Sequence, residues 1–151
     1  MRFAFYTLGC KTNQYETQAM ERLLTDLGHE IGHFDEKCDG YIINTCSVTA
    51  VADKKNRAVI RRCRRLNPDA VIGVCGCYSQ HAPEDVRALG VDVIGGSGGR
   101  QEFIEQLLAA VQTGAPSPIS SRQILYNQAI LDGISRSAEL GREVAIVIPE
   151  V

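Results

Sequence analysis

Short apolar segments alternate with amphipathic, helix-like segments over the first 114 residues, and this alternation constrains the fold more than any other feature. The predicted strands are 2–8, 29–34, 41–43, 70–74 and 91–94, and the predicted helices are 13–27, 47–66, 83–89 and 100–111. Strands that alternate with helices form a parallel sheet covered on both faces. The sequence therefore predicts an α/β three-layer sandwich with a mostly parallel sheet of about five strands, Rossmann- or flavodoxin-like.

The character of the sequence changes after Gly114. Residues 115–118 (APSP) are typical of a linker, 121–140 predict a further helix, and 143–151 predict a strand. We therefore expect one domain at 1–114 and an unassigned extension at 115–151. An apolar strand without a partner invites association through its edge, so a homodimer is one expectation.

The composition limits the classes of protein to which the chain can belong. Apolar residues make up 44% and charged residues 23%, which is typical of a soluble globular protein. The net charge of −2 excludes a chain that attracts nucleic acid over its whole surface, so any basic surface is local. No segment reaches the ~20 apolar residues of a membrane helix, and the first residues do not form a signal peptide. We expect a cytoplasmic protein with no membrane partner.

Six cysteines are many for a cytosolic chain of this size. Because disulfides are rare in that compartment, metal or redox chemistry is the leading explanation, although free cysteines also pack in protein cores. Cys38 lies in a polar connection and Cys63 inside a predicted helix. We interpret these two as structural.

The other four cysteines follow the ends of predicted strands. Cys10 comes after the first strand, Cys46 after the third, and Cys75 and Cys77 after the fourth. Sites in open parallel sheets form outside the carboxyl ends of the strands, so these thiols are predicted to converge on one edge. Cys75 is ambiguous, because it shares side-chain parity with Cys77 if the strand continues.

The spacing of these cysteines bears on the metal. Structural zinc sites often use paired C-x2-4-C motifs, which are absent, whereas iron–sulfur clusters are held by cysteine thiolates that can come from separate loops. Three ligands would leave one iron open for chemistry. Asn13, Asn44 and Thr45 are candidates for hydrogen bonds to sulfur or between the loops around the cysteines, and the last two are equally candidates for a helix cap.

Three segments carry a family resemblance: TLGCKTNQYET (Thr7–Thr17), INTCSVTAVADKKNRAVIRR (Ile43–Arg62) and VCGCYSQ (Val74–Gln80). Together they resemble the amino-terminal domain of the radical S-adenosylmethionine methylthiotransferases. The residues of these motifs are similar to those of the branch that acts on threonylcarbamoyl-adenosine in tRNA (MtaB-like). The resemblance covers roughly residues 2–113.

The resemblance implies a function and a site. It implies that Cys10, Cys46 and Cys77 ligate an auxiliary 4Fe-4S cluster, and that Cys75 lies outside the ligand set. In the family a radical domain binds a second 4Fe-4S cluster through a C-x3-C-x2-C motif and cleaves S-adenosylmethionine. Sulfur is then inserted at C2 of the adenine next to the anticodon of tRNA.

This sequence lacks the C-x3-C-x2-C motif. We therefore expect the radical domain and the RNA-binding domain to be missing, so that the chain is a fragment, a truncated gene product or an engineered piece, inactive alone and without catalytic residues. The alternatives are an RNA- or protein-docking α/β module without a cluster and a redox protein that uses Cys75 and Cys77 as a dithiol.

Two further motifs have more than one interpretation. The helix predicted at 47–66 is rich in cations. They are Lys54, Lys55, Arg57, Arg61, Arg62, Arg64 and Arg65. This pattern is compatible with a phosphate-binding surface, a solvated face or a contact to a missing domain. The run at 95–99 (GGSGG) lacks the lysine of a P-loop, so we interpret it as a turn at the cysteine edge.

Overall fold

The computed structural model describes residues 1–47, 50–114, 129–130, 133–134 and 136–146. The chain divides into two compact units, Met1–Pro118 and Ile119–Val151. Within the described residues, no helix combines the length and the hydropathy that crossing a bilayer requires.

The first unit contains five strands and five helices among its described residues. The strands are β1 (Arg2–Thr7), β2 (Glu30–Ile31), β3 (Gly40–Thr45), β4 (Val71–Gly76) and β5 (Val93–Ile94). The helices are α1 (Lys11–Asp26), α2 (Ala50–Leu66), α3 (Cys77–His81), α4 (Pro83–Arg87) and α5 (Arg100–Thr113). All strand pairs are parallel, in the order β2-β1-β3-β4-β5. The predicted fold class is therefore confirmed, and the strand order is that of the flavodoxin-like folds.

The buried cluster on one face of the sheet explains why these segments fold together. Met20 and Leu24 of α1 and Phe103 and Leu107 of α5 pack in one cluster with Ile42 of β3. Helix α2 lies against β3 and β4. Because side chains alternate along a strand, the apolar residues on either side of Ile42 are available to cover the opposite face. The central strands are buried along nearly their whole length, as expected for a sheet between two helical layers.

Several predicted boundaries are wrong. The strand predicted at 29–34 is only Glu30–Ile31, whereas the strand predicted at 41–43 extends over Gly40–Thr45 because the polar Asn44 and Thr45 continue the ladder. The strand predicted at 70–74 runs to Gly76, and α3 was not predicted, because its five residues carry no apolar periodicity.

In the second unit, residues 129–130, 133–134 and 136–140 are helical, within the helix predicted at 121–140. The strand predicted at 143–151 is wrong for 143–146, which form no regular strand. The rest of both predicted elements, and the predicted linker, lies outside the described residues. Association through that strand edge stays a prediction.

Candidate functional site

The sheet order places Cys10, Cys46 and Cys77 after three neighbouring strands. The chain leaves β1 toward β2 on one side and later returns to β3 on the other, so the strand order reverses between β1 and β3. Cys10 follows β1 and Cys46 follows β3, one on each side of the gap between these two strands. Cys77 follows β4, the neighbour of β3. In folds of this type, ligands bind outside the carboxyl ends of the strands at the reversal point.

Cys10 is exposed at the start of α1. It occupies the N-cap position with an extended backbone, and its Sγ lies 3.8 Å from the Oδ1 of Asn13. The main-chain N–H of Asn13, followed by the hydroxyl of Thr12, lowers the pKa of the Cys10 thiol. Hydrogen-bond donors at a helix start favour a thiolate, which is the form that binds metals.

Cys46 is buried against the loop that carries Cys10. A Cβ added to Gly9 would lie 2.6 Å from the Cβ and 2.9 Å from the Sγ of Cys46. Gly9 has a φ of +106°, a conformation that side chains rarely adopt. Glycine at this position therefore lets the loop after β1 pass directly over the second cysteine.

Cys77 is lifted out of the sheet by a glycine turn. Gly76 ends β4 with a φ of +98°, and Cys77 is the first residue of α3 and exposed. Burial raises the pKa of the Cys77 thiol, and the charges of Cys46 and Cys10 raise it further. Cys10 and Cys46 are therefore near enough to Cys77 to affect the pKa of its thiol, while the convergence of all three thiols on one site stays a prediction.

Cys75 does not join them. The sequence placed it just past the fourth strand, but β4 continues to Gly76, so Cys75 pairs with Asn44 in the ladder. Its side chain is 2% exposed in the core cluster under α1 and α5, and burial raises the pKa of its thiol to about 12. Cys75 and Cys77 would face the same way only if the strand continued through Cys77. The turn at Gly76 ends the strand, so the two side chains face different ways. This arrangement disfavours an accessible dithiol.

Cys38 and Cys63 are buried, consistent with their predicted structural role. Burial raises the pKa of both thiols, that of Cys63 to about 12. Neither residue lies at the carboxyl edge of the sheet, because one precedes β3 and the other is in the last turns of α2.

Buried amides and hydroxyls tie the cysteine loops together. The Asn13 Nδ2 donates to the carbonyl oxygens of Leu8 at 2.7 Å and Thr45 at 3.0 Å, and the Asn44 Nδ2 donates to the carbonyl of Asn13 at 3.0 Å. The Thr45 hydroxyl donates to the Cys75 carbonyl at 2.6 Å. Asn44 and Thr45 lie within β3, so the helix-cap interpretation is wrong for both. Their role is to link loops and strand ends.

An ion pair that the sequence did not reveal lies beside Cys77. Arg100, at the start of α5, pairs with Glu16 of α1, and both side chains are largely buried. After burial and the two other cysteines, Glu16 raises and Arg100 lowers the pKa of the Cys77 thiol. The contact spans the whole first unit in sequence, so no local pattern could have indicated it. The sequence offered only two hints of this pair, the acidic Glu16 inside the first motif and Arg100 directly after the glycine run.

The glycine run at 95–99 is anchored to α3. The Ser79 hydroxyl donates to the Gly95 carbonyl at 2.6 Å, and the Ser97 N–H donates to the Gln80 Oε1 at 2.8 Å. The Gly76 N–H donates to the Gly96 carbonyl at 3.1 Å. The predicted turn therefore holds the peptide that carries Cys77 in place.

Cys10, Cys46 and Cys77 supply thiols, the ligand type that proteins offer to iron–sulfur clusters. Among the described residues, no three His, Cys, Asp or Glu side chains converge on one point as ligands of a single metal ion. A 4Fe-4S cluster binds each cysteine through a different iron, so its thiols surround a space and do not meet at a point. Cys10, Cys46 and Cys77 follow three neighbouring strands and do not belong to one short motif, an arrangement compatible with that requirement.

The comparisons with known proteins agree with the motifs. The model of the uncharacterized protein family UPF0004 matches residues 2–96. The chain belongs to this family. A threonylcarbamoyladenosine tRNA methylthiotransferase MtaB of Bacillus subtilis (strain 168) is 49% identical over 102 residues, covering 67% of this chain and 23% of the relative. The MtaB of Aquifex aeolicus (strain VF5) is 36% identical over 108 residues, covering 71% of this chain and 26% of the relative.

A second group of relatives is named for a different substrate. A tRNA-2-methylthio-N(6)-dimethylallyladenosine synthase of Bacillus mycoides (strain KBAB4) is 37% identical over 82 residues, covering 52% of this chain and 16% of the relative. The resemblance to methylthiotransferases is thereby confirmed. The UPF0004 chain spans about a quarter of the length of the MtaB relatives.

A solved structure supports the fold alone. A response regulator from Burkholderia pseudomallei aligns with a TM-score of 0.50 at 13% identity, covering 94% of this chain and 93% of that one. At this identity the likeness concerns the arrangement of strands and helices, and no function follows from it.

Proposed function

We propose that this domain carries the auxiliary 4Fe-4S cluster of a tRNA methylthiotransferase, with Cys10, Cys46 and Cys77 as its ligands. The transferase would insert a methylthio group at C2 of threonylcarbamoyl-adenosine next to the anticodon. The observation that supports the ligand set most strongly is that Cys10 and Cys46 follow the two strands that border the gap between β1 and β3, and that Cys77 follows the neighbouring β4. The names of the MtaB relatives support this choice of substrate.

Each part of the site has a task in this proposal. When bound, such a cluster supplies sulfur chemistry at an iron that has no protein ligand. Cys10 and Cys77 are exposed and able to take up iron from solution, whereas the buried Cys46 fixes the third attachment point. Asn13 holds the loops of Cys10 and Cys46 together, since its amide binds a carbonyl on each side. Asn13, Asn44 and Thr45 thus keep the three attachment points in register.

The rest of the reaction belongs to partners of this domain. S-adenosylmethionine, a second 4Fe-4S cluster, the radical domain and a dedicated RNA-binding domain would complete the enzyme. Because the sequence has no C-x3-C-x2-C motif, we expect this chain alone to be inactive. If the protein modifies tRNA, we expect it to act in the cytoplasm.

Anaerobic reconstitution with ferrous iron and sulfide tests the proposal. We expect a brown protein with about four irons and about four sulfides per chain. Substitution of Cys10, Cys46 or Cys77 by alanine should abolish stable loading, because two thiols cannot hold the cluster against chelators. Circular dichroism should show a retained fold.

Cys38→Ala and Cys63→Ala are the matched controls, since both side chains are buried away from the edge. Both variants should load as the wild type does, apart from a stability loss from the small cavity. A colourless, folded wild-type chain would contradict the proposal and favour a docking module without a cluster. Zinc at one ion per chain without iron would contradict it equally.

A further inference from the structure

The cations of α2 fall into two groups in the structure. Three of the seven basic side chains in this helix have partners within the domain. Arg62 pairs with Asp35 and lies over the ring of Phe34. Arg64 binds Asp92 at 2.7 Å and also donates to carbonyl oxygens that follow the helix and precede β5. These residues have a structural use that the sequence did not reveal.

Arg57 is the third cation with a partner. Its Nη1 donates to the hydroxyl of Tyr78 at 3.3 Å, and this hydrogen bond raises the pKa of the guanidinium. Tyr78 is buried and directly follows Cys77. The amino-terminal half of α2 is therefore attached to the cysteine edge, and the Asn56 Nδ2 reinforces this by donating to the Cys46 carbonyl at 2.7 Å.

The four remaining cations, Lys54, Lys55, Arg61 and Arg65, are exposed and have no ion pair or hydrogen bond among the described residues. We name them the α2 stripe. Positions 54, 61 and 65 follow one another at helical spacing, with 55 beside them. The stripe is about 16 Å long, since eleven residues separate its ends at 1.5 Å each. The small side chain of Ala58 lies between them and is also exposed.

The chemistry of the stripe identifies its partner. The only acidic residue of α2 is Asp53, at the first turn and half-buried. The centre of a protein interface is apolar or aromatic, whereas Val51 is the only large apolar side chain exposed on this helix. Phosphate oxygens are the natural partners of such cations, and nucleic acid presents them every few ångströms along a strand.

We propose that the α2 stripe docks the phosphate backbone of the substrate RNA, beginning at the cysteine edge and running away from it. This inference rests on the proposed function, because the RNA must reach the cysteine site. Because the net charge of the chain is −2, its surface as a whole does not attract RNA. The attraction would be confined to the α2 stripe, which would therefore also orient the RNA. The internally paired Arg57, Arg62 and Arg64 are not part of the docking surface.

Fluorescence anisotropy with a labelled synthetic anticodon stem–loop, unmodified at the adenosine next to the anticodon, tests the inference on the whole 151-residue chain. Lys54→Glu, Arg61→Glu and Arg65→Glu should each weaken binding by about tenfold at low salt. The triple variant Lys54→Ala/Arg61→Ala/Arg65→Ala should lower the slope of log K against log salt by roughly two, at about 0.7 per lost contact. Unchanged thermal unfolding should accompany these changes, since the side chains are exposed.

Arg22→Glu is the matched control, an exposed cation on α1, which packs with α5 and not with α2. It should leave RNA binding unchanged. Three results would overturn the inference: no RNA binding by the wild type, an equal loss in Arg22→Glu, or equal competition by a poly-glutamate peptide, which would indicate an acidic protein partner.

Iron content measured on the same variants separates the two proposals. RNA binding that depends on the stripe, without cluster loading, would refute the proposed function and retain the surface. Cluster loading without RNA binding would refute the surface and retain the proposed function.

Discussion

Substitution of Gly76 by alanine is the sharpest structural test of the cysteine edge. Gly76 has φ +98° and ψ −163°, a region of backbone space that is essentially reserved for glycine. An added Cβ would lie 2.4 Å from the Thr45 carbonyl oxygen and 2.8 Å from the Thr45 nitrogen. Both atoms are main chain inside β3 and cannot swing away. The turn that brings Cys77 to the edge therefore has no room for a side chain.

The cost has two parts. The backbone conformation alone costs about 1–3 kcal/mol for a residue other than glycine. Overpacking against fixed main-chain atoms typically adds about 1–3 kcal/mol. We therefore expect Gly76→Ala to lower the free energy of unfolding by about 2–6 kcal/mol, a large part of the stability of a small domain.

Two other glycines separate these contributions. Gly90 has a φ of +73° but no atom near an added Cβ, so Gly90→Ala should cost only about 1–2 kcal/mol. Gly98 has open space and no positive φ, so Gly98→Ala should lie within about 0.5 kcal/mol of the wild type. Urea unfolding followed by circular dichroism gives all three values, and tryptophan fluorescence is not an option because the chain has none.

The order of stability of the three glycine variants tests this reasoning. Gly76→Ala should be the least stable of the three and should also load less iron, because the turn sets the position of Cys77. A Gly76→Ala variant as stable as Gly98→Ala, with normal iron loading, would refute the account of this turn.

Four further predictions concern Cys63, Asn13 and two cations of α2. Cys63, buried with a thiol pKa of about 12, should resist iodoacetamide that alkylates the exposed Cys10 in the native apo-protein, as peptide mass spectrometry would show. The pKa of the Cys63 thiol is about 12 in the folded chain and returns to about 9 on unfolding. The stabilisation by the buried neutral thiol is therefore complete below pH 9 and is lost as pH rises toward 12. The urea unfolding curves of wild type and Cys63→Ala should accordingly converge as the pH approaches 12. Asn13→Ala should cost about 2 kcal/mol in urea unfolding, since it leaves two buried carbonyl oxygens without donors, and a neutral result would contradict its linking role. Arg64→Ala should cost about 1–2 kcal/mol and the unpartnered Arg65→Ala about zero, whereas equal effects would contradict the division of the α2 cations.

The sequence was sufficient for the sheet because its signals are local and repeated. Each strand–helix pair carries its own apolar pattern, and a parallel sheet then follows from the need to cover both faces. The placement of Cys10 and Cys46 beside one gap follows in turn, because both come directly after strands that are neighbours in the sheet.

The remaining features depend on single residues or on distant contacts. Whether Cys75 faces the core or the edge depends on where β4 ends, and Gly76 decides this with one unusual backbone angle. The pairing of Glu16 with Arg100 and of Arg64 with Asp92 joins segments far apart in the chain. No pattern of neighbouring residues contains that information, so the structure was needed to separate the paired cations from the α2 stripe.

A crystal structure of the anaerobically reconstituted chain tests the central proposal most directly. Anomalous scattering at the iron edge would locate the metal without reference to the sequence. We expect one 4Fe-4S cluster at the carboxyl edge of the sheet, bonded to Cys10, Cys46 and Cys77, with its fourth iron free of protein ligands. Iron bound at Cys38, Cys63 or Cys75, or a fully occupied crystal with no iron at the edge, would contradict the account.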